Sequence, residues 1–510
     1  MVQIDERIRV LYNKNKQNKA VDWIQVDPED STKRKVLAAK LGDVAFEKNK
    51  NKWKLFNNEH VSKFWEYKPL THEYADDTTL QDIAQTQNVW QPANFDLTST
   101  VIDDELKKHN IWTAKALKDS FLSFKEDMKK NSVPMAQTIG KMKTNKMLFA
   151  DGVLYFDETG NLTVSEASPN DFFTDFCDYT IKDALTQKAP LTNEWFNETF
   201  GESALTLKQY IGYTFFTTYK LVQAFVIIKG KGGDGKSTVI RYIENLFPRN
   251  EVANISLEDI ARSEANGKNF SLSELHNKRL NTNDDITGDF INDVSKLKIL
   301  TGSGSLNMAR KFTSDERFSN YAKLLFACNE LPSFRDSSDG LKRRTYILNA
   351  HNIPNFKNKY DMKAIYNERG AFVVACIKAF CEQLKQEQEK PNNQYAELYR
   401  SADTIKEVED WSGDNDPVQL FIAEALVPLD KVSTSYKIKV NDMFEAYTSW
   451  ADKSKVGDKL GKIKFNRELE AHGFTKTKAK FKDGTVAYSW KQARFNSHVV
   501  KYDDYYIFKN

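Results

Sequence analysis

Apolar and polar positions along the chain sort into a few patterns. Leu221–Lys229 (LVQAFVIIK) is a nearly continuous apolar run, as expected of a strand buried on both faces of a parallel sheet. It stops at a glycine-rich loop, after which Ser237–Leu246 has helical spacing. Further apolar runs at Leu324–Cys328 and Tyr346–Leu348 alternate with helical stretches, which predicts an α/β core. Upstream, MLFADGVLYFD and ETGNLTV read as a hairpin turning at Asp157–Asn161, and residues 181–220 have the spacing of helices. Downstream, Ala371–Gln388 is a helix with Val373, Val374, Ile377 and Phe380 on its apolar face. The polar stretches EQEKPNNQ and SGDNDP follow, and a linker is expected near Asp410–Pro417. Residues 1–145 are less periodic. They give a strand-turn-strand around Val44–Phe56 with EKNKNK as its turn, a helix over Ala114–Lys130, and a loop-rich stretch over 68–105.

The end of the chain has its own order. Pro417–Ala425 reads as a helix with Pro at its first position, and Asn441 as the cap of a helix through Met443–Trp450. Lys464–His472 is a short helix stopped by Gly473, and FTKTKAKF and VAYSW are strands around an Asp483-Gly484 turn. Three helices and a hairpin are the winged-helix order, in which the third helix enters a DNA groove and the wing grips the backbone. Lys462, Lys464 and Arg467 would serve the helix, and Lys476, Lys478, Lys480 and Lys482 the wing. The alternative is a capping domain with a solvated lysine face.

Charge sharpens that reading. The 510 residues sum to +3, yet residues 431–510 hold 17 Lys and Arg against 9 Asp and Glu, or +8, which leaves −5 for the rest. Such asymmetry points toward nucleic acid. A hydrophobic content of 40% and an aromatic content of 12% exclude wholesale disorder. The longest apolar run, Ala371–Ile377, is far too short to span a membrane, and the start MVQIDERIRV is charged where a signal peptide is apolar. Cys177, Cys328, Cys376 and Cys381 have neither metal-ligand spacing nor the density of a disulfide framework. The expectation is a soluble, cytoplasmic, multidomain protein, with Cys328 in the core and His276, His351 and His472 as surface or capping residues.

The candidate chemistry lies in the loop. Gly230-Lys231-Gly232-Gly233-Asp234-Gly235-Lys236-Ser237, followed by Thr238, fits G-x-x-x-x-G-K-[ST]. Glycines let consecutive N–H groups converge on phosphate oxygens, and the helix that follows adds its positive end. Lys236 would reach the β- and γ-phosphates of ATP, and the Ser237 hydroxyl would bind Mg²⁺. A metal-holding acid and a group acting on water are then needed. KRLNTNDDI offers Asp284 for Mg²⁺ and Asp285 for the water, although paired aspartates also cap helices and turns. YAKLLFACN is an apolar strand ending in Asn329, suited to the γ-phosphate or the water, and Arg344 directly precedes the apolar TYIL.

From about Asn145 to Leu348 these motifs together resemble the superfamily III helicases, the hexameric AAA+-related motors of viruses, phages and plasmids. More narrowly, the chain resembles the phage and plasmid primase-helicases related to the poxvirus replication NTPase. The resemblance rests on the DGVLYFD…GNLTV hairpin, GKGGDGKST, KRLNTNDDI, KLKILTGSGSLNMARKF, LLFACNELP and DSSDGLKRRTYIL, in that order. It implies Walker B roles for Asp284 and Asp285, a sensor role for Asn329, and an arginine finger at Arg344 reaching a neighbouring subunit's nucleotide, with Arg343 as second candidate. It also implies a hairpin over Leu306–Phe318 that carries Arg310 and Lys311 to DNA in the ring channel.

The fold expected is therefore α/β: an N-terminal α+β region over 1–145, a hairpin and helical collar over 146–205, a P-loop AAA+-like ATPase over 206–400, and a winged helix over 418–510. The function expected is an ATP-dependent hexameric DNA helicase or initiator of a phage or mobile element, acting with single- and double-stranded DNA and host replication proteins. Residues 1–145 show no clear Asp-x-Asp pair or zinc cysteines, so priming is not expected. Two rivals are a packaging-type ATPase that does not unwind, and a DNA-binding regulator that uses ATP only to assemble.

Overall fold

Alternating side chains decide the first sheet. The computed structural model describes residues 21–57, 62–72, 86–134, 145–261, 271–286, 290–291, 294–302, 304, 306–308, 316–334, 339–390, 395–414, 416–428, 437–453, 459–490, 493–497, 499–502 and 505–508. It divides into two units, residues 1–154 with 164–180 and residues 155–163 with 181–510.

In the first unit, helix α1 (Ala38–Asn49) leads into strands β1 (Trp53–Asn57), β2 (Ser62–Thr71) and β3 (Thr86–Pro92). Helices α2 (Ser99–Lys108) and α3 (Ala114–Lys130) follow, then the short strand β4 (Val133–Pro134). The sheet order is β3-β2-β1-β4. Trp53, Leu55 and Phe64 point to one face and close a core with Leu41, Ile102, Leu106 and Phe124 of the helices. The helix expected over Ala114–Lys130 is present with those bounds, its start capped by the Thr113 side chain accepting from the Ala116 N–H.

Two expectations fail here. The outgoing arm of the strand-turn-strand is helix α1, because Leu41 and Ala45 are buried one helical turn apart. Only the return strand with Trp53 and Phe56 exists as expected. Where the 68–105 stretch is described, at 68–72 and 86–105, it is mostly strand and helix: β2 and β3 pair in register from Trp65↔Pro92 to Thr71↔Thr86, and helix α2 follows, while 73–85 lie outside the described residues. Lys146–Phe149, Gly152–Phe156 and Leu162–Ser165 form a three-stranded sheet in chain order, so the expected hairpin gains a third strand.

The second unit is built on five parallel strands. Helices α4 (Pro190–Phe200) and α5 (Ser203–Thr214) precede β5 (Phe225–Lys229), after which come helix α6 (Lys236–Glu244), β6 (Val252–Ala253) and β7 (Leu280–Asn283). Strand β8 (Lys323–Cys328), helix α7 (Asp339–Arg344) and β9 (Thr345–Asn349) complete the sheet region. The order β6-β7-β8-β5-β9 leaves β5 and β8 buried on both faces, which is why their sequences are unbroken apolar runs. Helix α8 (Arg369–Gln388) packs on α5, and Gly212 there lies so close that a Cβ would stand 2.1 Å from the Cys376 carbonyl oxygen.

The expected linker at Asp410–Pro417 is mostly helix. Helix α9 (Ala402–Asp414) runs through it, Trp411 is buried in the sheet's core, and its indole donates to the Pro332 carbonyl at 2.8 Å. Helix α10 (Pro417–Ala425) begins at once, with Asp416 accepting from Val418 N–H at 2.8 Å. Helices α11 (Val440–Lys453) and α12 (Lys462–Ala471) follow, then the hairpin β10 (Lys476–Lys480) and β11 (Val486–Trp490). They share a core of Phe421, Tyr447, Trp450, Phe465, Leu469 and Trp490. Asn441 is not a cap. Ile438–Lys439 pairs with β11 and feeds directly into α11, so Asn441 lies in the first turn and accepts from Lys462.

Candidate functional site

Parallel register brings the loop and its neighbours to one rim. Lys229 pairs with Cys328 on one side and Asn349 on the other, so β5, β8 and β9 end level. Gly230 N–H donates to the Cys328 carbonyl at 3.2 Å, and the loop over 230–235 then crosses to the start of α6. Gly233 and Gly235 have φ of 85° and 84°, a backbone region that glycine enters at little cost. Gly230 is needed for space: a Cβ there would stand 1.9 Å from Asp234 Oδ2.

Lys236 is the hub. Its Nζ donates to both Asp234 carboxylate oxygens at 2.9 and 3.0 Å, to the Gly230 and Lys231 carbonyls at 2.9 and 3.3 Å, and to Asn329 Oδ1 at 3.0 Å. Both members of the ion pair are buried, with side chains 8% and 5% exposed. The lysine of the glycine-rich loop and the expected sensor thus meet across neighbouring strands. Ser237 and Thr238 occupy the first turn of α6, with Ser237 exposed.

Asp284 and Asp285 reach the same rim. Asn283 pairs with Phe326, and Ile286 N–H donates to the Ala327 carbonyl at 3.0 Å, so both aspartates stand exposed beside the end of β8. Glu244, not singled out from the sequence, lies below them on α6. Burial pushes its carboxyl above the usual range, and the nearby Asp284 charge adds to this, against a hydrogen bond from Thr282. Cys328 is buried in the core as expected, and burial pushes its thiol up to about 12. Glu407 of α9 was also missed. It accepts from Lys229 at 2.8 Å and from Asn349 at 3.0 Å; burial works against its ionisation, and these donors outweigh it to hold the carboxyl below its usual range.

The arginines lie at the other rim. Thr345 pairs with Phe225, so Arg343 and Arg344 sit at the start of strands whose ends carry the loop. Four residues of strand separate the two ends by about 13 Å. Arg343 donates to Gln223 Oε1 at 2.8 Å and lies 5.2 Å from the Tyr395 ring centre. Arg344 donates to the Gly340 carbonyl of its own helix at 2.5 Å, while its buried Nε has no partner among the described residues. Burial and the adjacent Arg343 lower its pKa. Of the two, Arg344 is the less committed.

The remaining candidates scatter. Leu306–Met308 and Glu316–Phe318 pair antiparallel as the expected hairpin, but Arg310 and Lys311 lie outside the described residues. At the C-terminal end, Lys464, Arg467, Lys478, Lys480 and Lys482 are exposed. Lys462 is tied to Asn441, and Lys476 is half-buried, paired with Glu470 at 3.0 Å and set over the Trp490 ring. His472 pairs with Asp416 at 2.6 Å, which joins the end of α12 to the start of α10. Among the described residues no helix is long and apolar enough to cross a membrane, and no three His, Cys, Asp or Glu gather as a metal cage.

Fold and site define a class: a mixed α/β protein with a parallel sheet, a glycine-rich loop opening a helix at one rim, and acidic and amide side chains converging on it. Comparison with known proteins narrows this. Residues 228–344 match a family of unknown function, DUF5906, a span from the strand entering the loop to Arg344. Residues 413–502, which hold helices α10–α12 and the hairpin, match the family described as poxvirus D5 protein-like. The resemblance to phage-type primase-helicases related to the poxvirus replication NTPase is upheld by that second match. Among solved structures, the apo structure of the NrS-1 C-terminal region (305–718) is 12% identical at a TM-score of 0.40, covering 89% of this chain and 99% of that one. The A form apo structure of the same region is 13% identical at a TM-score of 0.39, covering 88% and 98%. No curated protein matches the chain.

Proposed function

We propose that the chain is an ATP-dependent, ring-forming DNA helicase or replication initiator of a phage or related mobile element. Lys236, backbone N–H groups of residues 230–235 and the N-terminal end of α6 would receive the phosphates of ATP. The donors suit Mg²⁺: one hydroxyl from Ser237 and the carboxylate of Asp284, with the rest of the shell left to phosphate and water. When bound, the metal neutralises charge that develops on the transferred phosphoryl group. Asp285 would orient the attacking water, and Asn329, already bonded to Lys236, would fix the γ-phosphate end of the site.

The observation that carries the reading is the separation of Arg344 from its own loop along paired strands. An arginine on the opposite rim cannot serve its own nucleotide, so a complete hydrolytic centre needs a second copy of the chain. Closed rings satisfy this for every copy. The hairpin at Leu306–Phe318 would then face the channel and the C-terminal helices and wing would engage duplex DNA, with Lys464 and Arg467 on one exposed face of α12.

Forked-duplex unwinding with Lys236→Ala as control tests the proposal. ATP hydrolysis with DNA but no strand displacement by the wild-type chain would refute it. Mixing Arg344→Ala and Lys236→Ala chains should restore part of the ATPase activity that each lacks alone. No restoration in assemblies shown to be mixed would remove the role of Arg344 across the interface.

A further inference from the structure

The second face of the first unit's sheet differs from the helix-covered one. Register pairs Lys54↔Trp65, Phe56↔Lys63 and Tyr67↔Trp90 put these six side chains on it. Phe56 and Trp90 are fully buried, and the hydrophobic residues packed on them are Trp65, Tyr67, Val133 and Phe172, none from an α-helix. Trp65 and Tyr67 remain half-exposed, and Lys63 is exposed.

A flat ring already stacks on this face beneath a cation. Phe172 lies 6.2 Å from Trp90 with 25° between the planes, and Lys54 Nζ is 5.9 Å from the Phe172 ring centre. Phe172 takes φ 57°, a conformation that bulky side chains avoid, so the stacking is held against local strain. The lysines are unusual too. Neither Lys54 nor Lys63 has an acidic partner among the described residues, and burial together with the Lys50 charge holds Lys54 below the ordinary lysine range. An anion placed there would relieve both effects. The Trp65 indole N–H is buried without an acceptor among the described residues.

Trp65 and Tyr67 project from one strand about 7 Å apart. Half-exposed rings at that spacing, flanked by lysines with no acidic partner among the described residues on a four-stranded sheet backed by helices, form the physical pattern of a platform that stacks unpaired bases and holds phosphates. We propose that this face binds single-stranded nucleic acid, with bases on Trp65 and Tyr67 and phosphates at Lys54 and Lys63. Binding here needs neither nucleotide nor a ring.

The test uses the full chain without ATP and an oligothymidylate carrying bromodeoxyuridine and a fluorescein label. Ultraviolet crosslinking should place adducts on the peptide over 62–71, and Lys54→Gln/Lys63→Gln should lower their yield at a fixed protein concentration. Anisotropy of Trp65→Ala/Tyr67→Ala should show about thirtyfold weaker binding, from ~1 kcal/mol for each of two stacked bases. The lysine variant should also flatten the plot of log affinity against log salt by about 1.4, two contacts at ~0.7 each. If the aromatic variant loses its near-ultraviolet circular dichroism, the lysine variant decides alone. Crosslinks only elsewhere in the chain, or crosslinks unchanged by the lysine substitutions, overturn the proposal.

Discussion

Gly230→Ala tests the geometry of the phosphate loop more sharply than loss of Lys236 does. The added methyl would stand 1.9 Å from Asp234 Oδ2, 2.9 Å from its Cγ and 3.2 Å from the Ala350 carbonyl oxygen. The carboxylate must therefore swing off Lys236 and lose contacts of 2.9 and 3.0 Å. Parting a buried ion pair costs about 3–5 kcal/mol. Lys236 keeps the Gly230, Lys231 and Asn329 oxygens, which puts the figure at the lower end, about 3 kcal/mol. Urea unfolding of the nucleotide-free protein reads that loss directly, and a fluorescent ATP analogue should bind about a hundredfold more weakly if the displaced carboxylate enters the phosphate space. The decisive comparison is a double-mutant cycle with Asp234→Ala. With no carboxylate to displace, the same methyl meets only the Ala350 carbonyl oxygen at 3.2 Å and should cost about 1 kcal/mol, giving a coupling of about 2 kcal/mol. Equal costs in both backgrounds would refute the clash. Gly233→Ala and Gly235→Ala act by another route, since no described residue beyond the chain neighbours lies within 4 Å of either Cβ, and the positive φ opposes a side chain.

Three further outcomes follow from the second unit. Gly212→Ala drives a Cβ to 2.1 Å from the Cys376 carbonyl oxygen, forces α5 and α8 apart, and should lower stability by about 3 kcal/mol in urea unfolding; an unchanged midpoint would contradict the packing. Lys323 is wholly buried, with Nζ donating to the Phe216, Thr218 and Tyr321 carbonyls at 2.8, 3.1 and 2.9 Å and lying over the Tyr213 and Tyr219 rings. Lys323→Met should cost about 2 kcal/mol, because the Phe216 and Thr218 carbonyls keep second donors in Thr218 N–H and Tyr213 O–H, and a raised midpoint would sink the claim. Side-chain hydrogen bonds from Thr159 and Asn161 hold the exposed Asp157 carboxyl at about 2 instead of 3.8. A depressed folded-state value means stability present above 3.8 and lost as pH falls toward about 2, so Asp157→Asn should flatten the urea midpoint across that window.

Legibility along the chain tracked burial. Strand β5 could be read because both its faces are covered and every position is apolar, from Phe225 to Ile228. Strands β2 and β3 are covered differently on each face, so Lys68, Gln87, Asn88 and Gln91 interrupt Phe64, Val89 and Trp90, and the stretch resembled a loop. Helix α1 hid for a related reason. Its buried face is Leu41 with Gly42 and Ala45, and the latter two are small enough to let the backbone approach α3, where a Cβ on Gly42 would stand 2.8 Å from the Phe124 amide nitrogen. Small residues leave a weak hydrophobic signal even where packing is closest. The linker failed because its polar letters are helical: Trp411, an isolated apolar residue in EDWSGD, is the one that anchors the helix in the core.

The site divides along the same line, between what neighbours in sequence determine and what strand register determines. GKGGDGKS is legible because its chemistry is local: consecutive N–H groups, two glycines at positive φ and a helix start all fall within eight residues. The bond from Lys236 to Asn329 joins residues 93 apart and depends on β5 and β8 ending level, which only the pairing Lys229↔Cys328 ensures. Glu407 depends on a third element closing over Lys229 and Asn349, and nothing in KEVEDW marks one glutamate from the other. That triad has a consequence for the proposed motor. Glu407 grips the strand ends flanking the phosphate loop, and the helix carrying it continues, after two residues, into the C-terminal module. A shift of Lys229 would pull on α9 along its length, since Trp411 further along the same helix is anchored under Pro332. The element touching the rim of the glycine-rich loop is thus the one that leads into the C-terminal module.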